Sequence, residues 1–141
     1  MKYQKTKISR LSIVIPAYNE EKRIAGRLKD LSDVFESLRK KSKLDYEIVV
    51  VINNTIDKTE EIVKKFRKKN KRIIYINLKQ GGKGYAVIGG FKNALKRDND
   101  FIGFIDSDLS TKASEYARLF SNIEDYDGVI ASRYLRGAKV S

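Results

Sequence analysis

The residues best suited to chemistry in this chain are two aspartates, Asp106 and Asp108, separated by Ser107 and delivered by the apolar run Phe101 to Ile105. Carboxylates two apart at the end of an extended segment can present one group across the strand edge and the next into a crevice. As hard oxygen ligands they suit Mg²⁺ or Mn²⁺, ions that take one or two carboxylates and complete their shell with substrate phosphates. The plainer alternative is that both aspartates cap the turn or helix that follows. A second segment, Gly81-Gly82-Lys83-Gly84, combines unhindered backbone amides, a predicted helix start and a lysine. That combination suits an anionic group such as phosphate, and its plainer alternative is a tight turn. It lacks the spacing of a Walker loop and follows the third strand rather than the first, so neither a P-loop ATPase nor a dinucleotide fingerprint fits.

The rest of the composition narrows the chemistry. The 141 residues include no cysteine and no histidine, which excludes disulfides, thiolate nucleophiles, the usual zinc ligands and imidazole acid/base catalysis. Any catalysis must then draw on carboxylates, Lys, Arg, hydroxyls and backbone amides, with or without a hard metal ion. Lys and Arg number 30 against 18 Asp and Glu, a formal charge of +12, and such a field favours anionic partners. Much of the excess lies in runs such as Arg39-Lys40-Lys41 and Arg67-Lys68-Lys69, which also suit a solvated helix face.

These groups need a frame to position them, and the hydrophobic pattern supplies one. Short apolar runs predict strands over Leu11–Ala17, Tyr46–Ile52, Arg72–Leu78, Phe101–Ile105 and Gly128–Ser132. Between them, apolar residues at three- and four-residue spacing predict helices from Glu20 to about Lys41, Asp57 to about Lys69, Gly82 to Lys96 and Lys112 to Ile123. Alternation of this kind implies one three-layer αβα domain with a mainly parallel sheet. No linker divides residues 1–141, and a domain of this size buries roughly two-thirds of its unfolded surface. The basic N-terminus and the short run ending at Pro16 read as a strand rather than a signal peptide.

In parallel sheets ligands bind outside the carboxyl ends of the strands. The segments predicted there are Pro16-Ala17-Tyr18-Asn19-Glu20, Asn53-Asn54-Thr55-Ile56-Asp57, the Gly82-Lys83-Gly84 loop, Asp106-Ser107-Asp108 and Ser132-Arg133-Tyr134. Structural alternatives stay open for several of them. Tyr18 could pack on the sheet edge, Asn19 could cap the first helix, and Asp57 with Glu60 could form a capping box.

Taken together, SIVIPAYNEEKRI, VVINNTIDKT, GGKGYAVIGGF, FIGFIDSDLS and VIASRY, in this order, resemble the nucleotide-sugar-binding half of inverting GT-A glycosyltransferases of family 2. The likeness is closest to the polyprenyl-phosphate (dolichol-phosphate) mannose or glucose synthases and covers residues 11 to 136. It implies a Rossmann-like GT-A nucleotide-binding fold and transfer of a hexose from a UDP- or GDP-sugar to a polyprenyl phosphate. By the same resemblance, Pro16, Ala17, Tyr18, Asn19 and Glu20 lie against the nucleotide base, and Asn53, Asn54 and Asp57 fall where the family's carboxylates hold base and ribose. Ile52 and Asn53 stand at positions that the family fills with acids. Gly82, Lys83 and Gly84 are implied near the donor phosphates, Ser107 beside them, and Arg133 near phosphate at the start of the acceptor region. Asp106 and Asp108 take the catalytic and metal-binding DxD position, with Mg²⁺ or Mn²⁺ as the cofactor. Family members continue beyond the position of Ser141, so the chain is expected to lack the C-terminal acceptor region.

A lipid-phosphate acceptor also implies a cytoplasmic protein at the cytoplasmic face of a membrane, with the basic surface as a peripheral contact. The rival from another class is a non-catalytic nucleotide- or nucleic-acid-binding α/β domain. The chain lacks the clustered aromatics that stack single-stranded bases, so no specific nucleic acid is expected.

Overall fold

The computed structural model describes residues 9–121. Strands and helices alternate as β1 (Ser9–Ala17), α1 (Ile24–Lys41), β2 (Leu44–Asn53), α2 (Thr59–Lys69), β3 (Ile73–Leu78), α3 (Lys83–Leu95), β4 (Phe101–Phe104) and α4 (Ala113–Ser121). The strand expected over 128–132 and the residue Arg133 lie outside the described residues. The four strands are parallel in the order β3-β2-β1-β4. The chain therefore adds β2 and β3 to one side of β1 and then crosses back to place β4 on the other, creating a switch point between β1 and β4.

Strand alternation sorts the side chains into two cores. Ile13, Ile15 and Ala17 of β1 and Ile48, Val50 and Ile52 of β2 pack with Ile24, Leu28, Leu31 and Phe35 of α1, Val63 of α2 and Ala113 of α4. Val14, Val49 and Val51 point the other way, against Ala86 of α3. Helices α1, α2 and α4 thus cover one face and α3 the other, the three-layer αβα arrangement expected of the pattern. Each fully buried Ile, Leu or Val contributes about 1.5–3 kcal/mol relative to exposure. On the α3 side the fit is close, because a Cβ at Gly90 would lie 2.3 Å from Val14 Cγ1 and 2.9 Å from Val51 Cγ2.

At the foot of α3, Glu47 projects from β2 and is almost wholly buried. Arg97 donates to both its oxygens at 2.8–3.0 Å, and Asn99 Nδ2 donates at 3.0 Å. Burial acts to raise the Glu47 carboxyl, but the hydrogen bonds from Arg97 and Asn99 outweigh it and hold the group below its ordinary value.

Parallel pairing gives the sheet two unlike edges. The carboxyl ends of the strands carry the loops that hold the polar segments. The opposite edge receives the C-terminal turns of α1 and α2, with Arg39, Lys40 and Lys41 in one and Arg67, Lys68 and Lys69 in the other. Main-chain bonds fix this placement: Ser9 N donates to Lys43 O at 3.0 Å and Ile48 N to Arg72 O at 2.9 Å. Cations at helix C-termini also complement the helix dipole, which accounts for part of the basic excess.

Candidate functional site

Above the β1–β4 switch point lies an open cleft of about 610 Å³. Pro16, Ala17, Tyr18 and Glu20 line it from the β1 end, Asn53 and Asn54 from β2, Gly82 and Lys83 from the start of α3, and Asp106, Ser107 and Asp108 from the loop after β4. Gly81 of the glycine segment lines it as well, as does Arg23, which was not singled out from the sequence. Asn19, Asp57 and Gly84 are not among its lining residues.

The first two loops are bolted together by the groups that do not reach the cleft. Asp57 Oδ1 accepts from Thr59 N and Thr59 Oγ1 at 3.0 and 2.5 Å, and Asp57 Oδ2 accepts from Glu21 N at 3.2 Å. Thr59 Oγ1 in turn accepts from Glu20 N at 2.8 Å. Burial acts to raise the Asp57 carboxyl, and these bonds from Thr59 and Glu21 outweigh it and lower it. Asp57 therefore anchors α2 to the β1–α1 loop, close to the capping alternative, although Glu60 reaches Asn77 at 3.2 Å rather than closing a capping box. Asn19 does not cap α1. It adopts a left-handed backbone (φ 48°) and its Oδ1 accepts from Ile56 N at 3.1 Å, so the chain makes a turn at 21–23 and α1 starts at Ile24 rather than at Glu20.

At the end of β2 the alternation decides which side chain faces the cleft. Ile52 points into the core under α1 and α2 with 1% of its surface accessible. Asn53, one residue on, points to the α3 side, where its buried Nδ2 donates to Gly82 O at 2.8 Å. Its Oδ1 is buried without a hydrogen-bond partner among the described residues. Such an acceptor is costly to leave unmade, and it belongs to a residue that lines the cleft.

Gly82 turns the chain into α3 with φ 114°, a backbone conformation that side chains other than glycine rarely adopt. Helix α3 has no side-chain cap and no acidic residue in its first turn, so its N-terminal amides and dipole are left for an anion. Lys83 stands on that first turn, and its Nζ lies 2.5 Å from Asp106 Oδ1, joining the glycine loop to the aspartate loop across the cleft. Asp108 Oδ1 accepts from Ser110 N at 3.1 Å and Ser110 Oγ at 2.5 Å. Those bonds, with Arg23 and Arg27 nearby, hold the Asp108 carboxyl below its ordinary value. Both aspartates thus offer hard oxygen donors to the cleft. Among the described residues no group of three or more Asp, Glu, His or Cys could hold a metal ion. This donor set fits an ion of the Mg²⁺ or Mn²⁺ type that shares its shell with substrate oxygens, and does not fit a self-contained metal centre.

One residue beneath this loop escaped the sequence-based selection. Arg27 of α1 is wholly buried. Its Nη2 donates to Asp108 O at 2.5 Å and to Thr111 O, and its Nε donates to Asp108 O at 3.1 Å. Nη1 lies 3.9 Å from Asp30 Oδ2, whose carboxylate also accepts from Ala113 N at 2.8 Å. Burial lowers the Arg27 guanidinium, against the opposing influence of Asp30, Asp108 and Asp106. A signal was present in the sequence: Arg27 sits three residues after Ile24 and four before Leu31, on the apolar stripe of α1, where a charged residue needs a partner.

Residues 12–141 match the family described as glycosyl transferase family 2. The chain belongs to glycosyl transferase family 2. Among curated relatives in that family, a dolichyl-phosphate beta-glucosyltransferase of Trichomonas vaginalis is 34% identical over 116 residues, covering 81% of this chain and 35% of that protein. A dolichol-phosphate mannosyltransferase of Pyrococcus furiosus is 30% identical over 132 residues, covering 93% and 35%. An uncharacterised Methanocaldococcus jannaschii protein is 37% identical over 115 residues, covering 79% and 46%. The chain thus spans between a third and a half of the length of these relatives. A mannosyltransferase from Pyrobaculum calidifontis, solved in complex with GDP-Man and Mn²⁺, superimposes with a TM-score of 0.52 at 24% identity, covering 63% of this chain and 25% of that one. That likeness carries the fold, and the parallel α/β sheet described above is of the Rossmann-like GT-A type.

Proposed function

We propose that this family 2 chain is the donor-binding part of an inverting hexosyltransferase that takes a UDP- or GDP-hexose and serves a polyprenyl (dolichyl) phosphate acceptor. The observation that carries the proposal is the 2.5 Å contact of Lys83 Nζ with Asp106 Oδ1. The contact joins a phosphate-type loop and a metal-type loop that line one cleft.

Each group then has a task. Pro16, Ala17, Tyr18, Glu20, Asn53 and Asn54 form the end that receives base and ribose, and the free Asn53 Oδ1 offers an acceptor there. Lys83 and the first amides of α3, opened by Gly82, hold the diphosphate. Asp106 and Asp108 hold Mg²⁺ or Mn²⁺, which when bound supplies positive charge for the leaving nucleoside diphosphate. An oxygen of the acceptor phosphate forms the new bond to the anomeric carbon on the face opposite the leaving group. The old bond breaks on the other face, and its electron pair departs with the diphosphate. A phosphate acceptor is already anionic and needs no general base, which agrees with a chain that contains no histidine. Arg133, outside the described residues, is assigned to phosphate at the acceptor side by the family resemblance.

The reading extends to the cytoplasmic face of a membrane, where a lipid phosphate would be met. No helix among the described residues is long and apolar enough to cross a bilayer. Titration calorimetry with UDP-glucose and GDP-mannose, each with and without Mn²⁺, tests the donor assignment. Binding of one donor strengthened by Mn²⁺ and lost in Asp108→Asn supports it. No binding of either at millimolar concentration sinks it. Nucleic-acid binding with a steep salt dependence, unmoved by Asp108→Asn, would favour the non-catalytic binding module instead.

A further inference from the structure

The loop that carries Asp106 and Asp108 is held from below by a side chain that never reaches the cleft. We propose that Arg27 is a positioning residue for this loop, its buried guanidinium gripping the carbonyls of Asp108 and Thr111 so that the two carboxylates are presented together to the cleft. The inference rests on the donor-site reading of that cleft for its consequence, and on the geometry alone for its first step.

Three observations converge on it. First, the Arg27 side chain is inaccessible to solvent although it lies on the helix stripe formed by Ile24, Leu28 and Leu31. An arginine buried among aliphatic side chains loses strong hydration and persists only where its donors are used. Second, the donors used go to main-chain carbonyls on both sides of the turn, Asp108 O and Thr111 O. These positions enclose Ser110, whose amide and hydroxyl both bind Asp108 Oδ1. With the Asp108 carbonyl directed down to Arg27 and its carboxylate bonded to Ser110, the turn is fixed from two directions. Third, Asp30 Oδ2, which accepts from Ala113 N, lies at an ion-pair distance of 3.9 Å from Arg27 Nη1, the one guanidinium nitrogen without a hydrogen-bond partner among the described residues. The same network therefore sets both the turn and the entry into α4.

Electrostatics act in the same direction. A permanent cation beneath the turn attracts the Asp108 and Asp106 carboxylates, which adds to the pull of the hydrogen bonds on the loop. A guanidinium suits this better than an ammonium, because its planar fork can reach two carbonyls at once without losing its charge.

The test compares the wild-type chain with Arg27→Met, which keeps length and loses the donors, and Arg27→Lys, which keeps the charge and loses the fork. Two readouts are taken. Amide hydrogen exchange resolved along the chain is expected to accelerate at least tenfold over residues 107–113 in Arg27→Met, with the amides of β1 and β2 within twofold of wild type and Arg27→Lys between the two. Mn²⁺ affinity, measured by the electron paramagnetic resonance signal of the free ion in the presence of GDP or UDP, is expected to fall at least tenfold in Arg27→Met. Nucleotide affinity without metal should stay within threefold. Loop exchange within twofold of wild type, or an equal acceleration across β1 and β2, overturns the positioning role. If Arg27→Met does not fold, the same comparison is decided on Arg27→Lys, for which unchanged loop exchange and unchanged Mn²⁺ affinity overturn it. A wild-type chain that binds neither nucleotide with Mn²⁺ removes the donor-site reading, while the exchange readout still decides what Arg27 does to the loop.

Discussion

Asn53 Nδ2 donates to the carbonyl of Gly82 at 2.8 Å, tying the end of β2 to the residue that opens α3. The same carbonyl accepts the first helical bond of α3, from Ala86 N at 3.1 Å. Gly82 O can only accept, so the side chain at position 53 must donate, and an amide does so where an ionised carboxylate does not. In this chain the side chain at position 53 supports the glycine loop. Asn53→Asp is expected to destabilise the chain by about 1–3 kcal/mol at neutral pH, since a buried donor is replaced by a charge facing a carbonyl. Nucleotide affinity should fall with it. Urea unfolding at pH 7 measures the loss, and part of it should return near pH 4, where the introduced carboxyl is protonated and can again donate. An Asn53→Asp variant as stable as wild type at pH 7 contradicts the role.

The fold was legible because period-two and period-3.6 patterns are written by burial, and burial is what positions the elements here. The cleft was legible for a related reason, since strand ends in a parallel sheet share one edge and most of the polar residues at those ends line it. What could not be read was direction within a loop. Asp57 carries the residue type of a ligand-binding acid, yet both its oxygens are taken by Thr59 and Glu21. Asn19 has the residue type of a helix cap, yet its left-handed backbone turns it toward Ile56. The Glu21 contact of Asp57 and the Ile56 contact of Asn19 span 36 and 37 residues, which no local pattern records, whereas the Thr59 bonds of Asp57 are local and close to the capping alternative. Arg27 differs, because a charge on the apolar stripe of α1 was visible, and only its partner more than 80 residues away was not.

The Glu47–Arg97 pair predicts a pH dependence of stability with a definite sign. The folded Glu47 carboxyl lies below its ordinary 4.5. Its contribution is therefore fully present above that unfolded value and is lost as pH falls through the lower folded one. Glu47→Gln should cost about 1–3 kcal/mol at pH 7, because it removes the charge partner of an Arg97 side chain that is still about a third exposed. The difference from wild type in urea midpoint should shrink steadily as pH falls below the ordinary carboxyl value of 4.5 and through the lower folded one. A difference that stays constant from neutral pH down to strong acid removes the pair from the acid response.

Gly90 sets the closest approach of α3 to the sheet, and a methyl group there has nowhere to go. In Gly90→Ala the new Cβ meets Val14 and Val51, both buried side chains of central strands. Helix propensity favours alanine by about 1 kcal/mol, while overpacking of this kind costs typically about 1–3 kcal/mol. The clash should win, so that the melting temperature falls; a rise would mean that α3 can lift from the sheet without penalty.

The basic runs of α1 and α2 lie at the strand-start edge, one sheet length from the cleft. β1 has nine residues, and at about 3.3 Å per residue that is roughly 30 Å, well beyond the ~8 Å screening length at physiological salt. Replacing Lys40, Lys41, Lys68 and Lys69 by glutamine should therefore leave nucleotide affinity within twofold of wild type. The same four changes should weaken binding to vesicles containing anionic lipid, since each Lys near such a surface contributes about 1 kcal/mol. If both hold, a membrane bound through these lysines faces the edge opposite the cleft, and a lipid phosphate would have to reach the donor through other parts of the protein. A tenfold loss of nucleotide affinity in the quadruple variant would mean that the basic field steers the donor after all, and that the two edges act as one surface.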